Sequence, residues 1–180
     1  MQKTNNWSQS DYSIIEKIDE TISAVVFRGK RDSSDEAVII KALKVENPSP
    51  SEVARFKQEY ELIMNFYHKG VVRTLDIQNY NGNFALIQED FDGITLKKAI
   101  DAKKFDIETF INIAIDLSDS LGSLHKQNII HKDIKPYSIL YNSKTGEAKI
   151  TNFGICSTEV SRFLKQVPNN DLQKQHHSDA

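Results

Sequence analysis

The stretch "HKDIKPYSIL", His131–Leu140, and the shorter "TNFGIC", Thr151–Cys156, decide how the rest of the chain is read. The first leaves the β-branched run "NII", turns through polar residues and a proline, and enters a second run, "SILYN". Lys144-Thr145-Gly146 then reads as a turn before "AKITNF". Short strands around a loop are expected, with Asp133 and Lys135 held in that loop. The question is whether the loop carries a working site or only its outline.

Upstream, Asp106 to about Lys126 has apolar residues at Ile107, Phe110, Ile111, Ala114, Leu117, Leu121 and Leu124. That spacing predicts one long helix with a continuous apolar stripe, and such a stripe needs a partner surface. A shorter helix is expected at roughly 95–103. Further upstream, "YSIIEKI", "ISAVVFRGKR" and "EAVIIKALKV" read as three antiparallel strands. "SEVARFKQEYELIMNFYHKG" reads as a helix with Val53, Phe56, Tyr60, Ile63 and Met64 on one side, Ser51 as its N-cap and Gly70 as its stop. Two more strands, "VVRTLDIQNY" and "NFALIQEDF", are joined by Asn81-Gly82, a dipeptide suited to a tight hairpin turn. The order is βββαββ and then mainly helix. The divisions expected are a flexible N-terminus over 1–10, a small lobe over 11–92, a partial large lobe over 93–163 and a disordered tail over 164–180.

With 180 residues, 39% hydrophobic and 27% charged, the chain has the size and make-up of one globular domain rather than a disordered or fibrous one. Its 23 basic and 25 acidic residues nearly balance, so no basic field points to nucleic acid or acidic lipid as a partner. Cys156 is the single cysteine, which rules out an internal disulfide, and no Cys/His cluster has zinc-site spacing. The N-terminus lacks the basic-then-apolar pattern of a secretion signal, and no apolar run approaches the ~18 residues of a membrane span. A soluble, cytoplasmic protein is expected.

The order of elements and the quoted phrases together resemble a protein kinase domain over most of residues 12–160. The resemblance implies an α+β fold: a small antiparallel-sheet lobe with one main helix, and an incomplete, mainly helical large lobe. Lys41 in "VIIK" stands where the family has the strand lysine that meets nucleotide phosphates, and Glu59 where the family has the helix glutamate that holds it. Taken alone, each would be an ordinary solvated charge. Asp133 matches the carboxylate that accepts the substrate hydroxyl proton, and Lys135 the lysine that steadies the transferring phosphoryl group. His131 and His125 read as structural histidines. Val26, Ile39, Leu140 and the hinge residues Glu89 to Phe91, following Gln88 at the gatekeeper place, match the family's nucleotide pocket.

The departures fall on metal and phosphate contacts. Ser138 replaces the asparagine that carries one magnesium ion, and Asn152 replaces the aspartate that holds magnesium against the phosphates. Magnesium favours hard anionic oxygens, so these two substitutions put Mg2+ binding in doubt. The three glycines of the phosphate-covering loop read Asp19, Thr21 and Ala24, whose side chains hinder close backbone approach. Ile39 is larger than the family's alanine and narrows the pocket. The hinge backbone still admits ATP, since it does not depend on side-chain identity.

No Ala-Pro-Glu phrase follows Gly154, and the helices completing the family's large lobe are not recognisable. The uncovered apolar stripe implies another protein, another domain or a second copy as partner. The reading is a catalytically impaired kinase-like signalling or interaction module with weak ATP binding; the alternative is an active serine/threonine kinase. "HKDIKP" and "DGITL" are also loosely similar to the kinase-like modules that open bacterial multi-domain signalling proteins.

Overall fold

The computed structural model describes residues 11–21, 24–44, 48–80, 83–102 and 105–158. The expected 1–10 N-terminus, the Asn81-Gly82 turn and the 164–180 tail lie outside these residues. The elements are α+β, in the βββαββ-then-helix order that the sequence pattern predicts. Strands β1 (Tyr12–Glu20), β2 (Ala24–Arg31), β3 (Ala37–Leu43), β4 (Thr74–Tyr80) and β5 (Asn83–Glu89) form one antiparallel sheet ordered β1-β2-β3-β5-β4. Tyr80 pairs with Asn83, so two residues join β4 to β5.

Strand β3 shows why this sheet can carry chemistry. Val38, Ile40 and Ala42 face one way, into a cluster with Tyr12, Ala85 and Ile87. The alternation of a strand sends Lys41 and Leu43 to the other face, where Leu43 packs with Phe56 and Leu86 under helix α1 (Pro50–Ile63). Lys41 is thereby aimed at a helix and not at water.

Helix α1 starts two residues earlier than expected. Ser49, not Ser51, is its N-cap: the Ser49 hydroxyl accepts from Glu52 N–H and the Glu52 carboxylate accepts from Ser49 N–H, with Pro50 at the first helical position. The Ser49 hydroxyl also donates to the Glu52 carboxylate at 2.7 Å, which pulls that carboxyl below the usual range. The helix ends at Ile63, leaving Met64 at its C-cap and exposed, so Gly70 is not the stop. Gly70 has a different duty, because a Cβ there would lie 2.0 Å from Ser120 Oγ. Only glycine permits that approach.

The second lobe contains β6 (Ile94–Thr95), α2 (Leu96–Asp101), α3 (Ile107–Lys126), β7 (Ile129–Ile130), a 3-10 turn (Pro136–Ser138), β8 (Ile139–Tyr141), β9 (Ala148–Ile150) and β10 (Ser157–Thr158). Asp106 caps α3 by accepting from Thr109 N–H, which lowers its carboxyl pKa. The short strands pair as β6-β8-β9 and β10-β7. Ile63 and Phe66 from the first lobe meet Leu124, Ile129, Ile150, Phe153 and Cys156 from the second in one buried cluster that joins the lobes.

The apolar stripe expected on α3 is only partly covered among the described residues. Ile113, Ser120 and Leu124 are buried and Leu117 and Leu121 half-buried, but Ile107 (73%), Phe110 (62%) and Ile111 (49%) are exposed. The apolar stripe is wider than the surface available to cover it among the described residues. No helix among them is long and apolar enough to cross a membrane.

Candidate functional site

Four elements converge on the cleft between the lobes. From β3, Lys41 Nζ donates to both Glu59 carboxylate oxygens, at 2.8 and 3.1 Å, and to Asn152 Oδ1 at 3.1 Å. The Lys41 and Glu59 side chains are only 13% and 3% exposed. A pair so enclosed is held by its mutual compensation, since either charge alone would be costly to bury.

Asn152 is fixed at both ends. Its Nδ2 donates to the Tyr137 carbonyl at 3.2 Å while its Oδ1 accepts from Lys41 Nζ. Its φ of 68° lies in the left-handed region, which asparagine tolerates better than most residues. Where the resemblance leads one to expect a metal-holding carboxylate, this chain has an amide already engaged with a lysine.

The preceding loop is built on His131. Its Nε2 lies 2.9 Å from the Thr151 carbonyl, which can only accept, so Nε2 carries the proton. Nδ1 then accepts from Asp133 N–H at 3.2 Å. Both contacts require the neutral ring, and burial lowers the imidazole pKa accordingly. Phe153 packs edge-on against this ring at 4.8 Å. The histidine thus aligns the Asp133 loop with the segment bearing Asn152. Lys132, between His131 and Asp133, takes a φ of 65°, a strained value for a long side chain. Asp133 and Lys135 form an ion pair at 2.8 Å with side chains 32% and 50% exposed, open to the cleft.

Ser138 sits elsewhere. It is wholly buried, and its Oγ has no hydrogen-bond partner among the described residues. Its backbone carbonyl accepts from Thr151 N–H at 2.9 Å, which ties the two phrases together. The hydroxyl is therefore enclosed by packing and is not presented as a ligand. No group of three or more His, Cys, Asp or Glu side chains is placed to hold a metal ion among the described residues.

The residues expected from the resemblance to line a nucleotide pocket are placed by strand register. Val26 lies opposite Lys41, and Ile39 opposite Gln88; Val26, Ile39 and Leu140 are all half-buried. Gln88 is buried and its amide donates to Thr74 Oγ1 at 3.3 Å. At the hinge, Glu89 N–H donates to the Arg73 carbonyl and the Phe91 carbonyl accepts from Asn142 Nδ2. The Glu89 carboxylate is taken by Lys149 at 2.7 Å, whose ammonium also lies 4.8 Å from the Phe91 ring centroid. No hydrogen bond engages the Phe91 N–H among the described residues.

Over the cleft, the three positions without glycine are tied down by side chains. Thr21 Oγ1 accepts from Ala24 N–H at 3.0 Å, closing the β1–β2 turn. Glu20 is paired with Lys17 and Lys44, which pull its carboxyl down to about 2. Asp19 reaches Lys98 on α2 at 3.0 Å, bridging the lobes. Arg28 on β2 likewise binds the hinge Asp90 at 2.7 Å. The sequence showed these charges but gave no signal of their pairing, because the partners are distant in sequence and belong to no motif. His125, read from sequence as a structural histidine, is exposed in the last turn of α3.

A protein kinase domain model matches residues 12–168. A probable serine/threonine-protein kinase of Clostridium perfringens (strain 13 / Type A) is 32% identical over 155 residues, covering 85% of this chain and 22% of that protein. The serine/threonine-protein kinase TIO of Arabidopsis thaliana is 27% identical over 163 residues, covering 88% of this chain and 12% of that protein. The chain thus spans less than a quarter of the length of either relative. The lysine–glutamate pair, the histidine-anchored loop and the two-lobed fold agree with the sequence match: this chain belongs to the protein kinase domain family.

Proposed function

We propose that this domain is a catalytically impaired, pseudokinase-like signalling or interaction module that retains weak ATP binding. The observation that carries the reading is the state of the two metal positions. Protein kinases use ATP with magnesium, which needs hard, preferably anionic oxygens in near-octahedral array. Asn152 offers a neutral amide committed to Lys41 and Tyr137, and the Ser138 hydroxyl is enclosed. This donor set does not fit magnesium.

ATP fits better. Lys41, fixed by Glu59, supports phosphate contact; the Phe91 N–H, unengaged among the described residues, supports adenine contact; Val26, Ile39 and Leu140 would flank the ring. Asp19 and the missing glycines weaken phosphate approach, which is why the affinity is proposed to be low.

A second reading, an active serine/threonine kinase, draws support from Asp133 and Lys135, which stand paired and open to the cleft. A phosphate-transfer assay on a hydroxyl-bearing protein substrate separates the two. No transfer above that of Asp133→Ala is expected; transfer with magnesium that disappears in Asp133→Ala would overturn the impaired reading.

A further inference from the structure

The two ends of the cleft differ in what they have left to offer a ligand. At the roof, the β1–β2 turn uses its own hydrogen-bond donors. Glu20 N–H donates to the Asp19 carboxylate at 2.9 Å, Thr21 N–H to the Ala24 carbonyl at 2.8 Å, and Ala24 N–H to Thr21 Oγ1 at 3.0 Å. The Thr21 hydroxyl in turn donates to the Ala24 carbonyl at 3.1 Å. Backbone N–H groups of this kind are what a glycine-rich loop turns toward phosphate. Here they are taken up inside the turn.

The cations around the cleft are committed in the same way. Lys41 is divided between Glu59 and Asn152, Lys135 holds Asp133, Lys98 holds Asp19, and Lys17 and Lys44 share Glu20. Asn152 Nδ2 is turned to the Tyr137 carbonyl, and the Ser138 hydroxyl is enclosed. Arg55 and Lys132 are exposed to water, where salt screens them. A terminal phosphate brings about −1.5 to −2 charges near neutral pH. To bind here it has to displace an internal carboxylate or lie beside Asp19. Magnesium would offset that charge, but the donor set does not fit it.

The other end is free of this conflict. The Phe91 N–H is unengaged among the described residues, and Val26, Ile39 and Leu140 are half-buried apolar side chains. A planar, uncharged base asks for apolar flanks and a few placed hydrogen bonds. On the reading of the cleft as a nucleotide site, on which this rests, we infer that its preferred ligand is an uncharged adenine nucleoside and that each added phosphate weakens binding. ATP then binds through its nucleoside part, with its phosphates as a penalty.

Isothermal titration calorimetry of the full chain in EDTA, at physiological ionic strength, compares adenosine, AMP, ADP and ATP. Adenosine should bind about tenfold more tightly than ATP, with AMP and ADP between them. Asp19→Asn keeps an acceptor for Glu20 N–H, removes the roof carboxylate and releases Lys98. It should tighten ATP severalfold and leave adenosine unchanged. ATP binding as tightly as adenosine, or more so, would overturn the inference while leaving nucleotide binding standing. Binding of none of the four would overturn both. An unaltered ATP affinity in Asp19→Asn would remove the electrostatic basis and overturn the inference as well.

Discussion

Lys41, Glu59 and Asn152 meet across three elements, and their chemistry is that of a buried charge pair with an amide standing in for an anion. Glu59→Ala leaves the Lys41 ammonium enclosed with only the amide as partner, and should destabilise the fold by about 3 to 5 kcal/mol in a urea melt. A loss below about 1 kcal/mol would show that the pair is more solvated than its 13% and 3% exposure implies. His131 sets a pH dependence. Its folded pKa is depressed by burial, so below the ordinary imidazole value of about 6.5 the unfolded chain takes up a proton that the folded chain refuses. Stability should therefore fall as pH drops from about 7.5 toward 5.5, and His131→Gln should be less stable at neutral pH but flatter across that window. Thermal melts of both proteins at several pH values check this; an equal slope would place the titration elsewhere.

Helix starts and faces, more than helix positions, separate what the sequence discloses from what it hides. The long helix was legible to within a residue because Asp106 and a seven-residue apolar series mark it out. The start of α1 was misplaced by two residues: Ser49, Pro50 and Ser51 are all plausible starters, and only the reciprocal contact with Glu52 decides between the serines. Ser49→Ala should accordingly cost about 1 kcal/mol, and Ser51→Ala much less; equal losses in denaturant melts would restore the sequence-based assignment. Which side of α3 is covered was not legible at all, since periodicity reveals a stripe but not the width of the surface that meets it.

At the scale of the whole molecule, motif order sufficed for fold and family, because several short signatures at compatible spacing constrain one another. The residues proposed to meet the nucleotide, Lys41, Glu59, Val26, Ile39 and Leu140, follow from that order. Hidden from it were the Asp19–Lys98 bridge and the inward turn of Ser138, which depend on how two lobes pack. The lobes share one core through Phe153, Cys156 and Leu124, so Cys156 should resist alkylation in the folded chain and react only as fast as the domain unfolds. Rapid native-state labelling would contradict a common core. The central claim concerns the metal positions, and it is tested most directly by following thermal stability during ATP titration, with and without magnesium, in the natural chain and in Asn152→Asp. A ligand that binds the folded state raises its melting point according to its affinity. The expected result is a small, magnesium-independent rise for the natural chain and a larger, magnesium-dependent rise for Asn152→Asp. A magnesium-dependent rise in the natural chain, unaltered by Asn152→Asp, would contradict it.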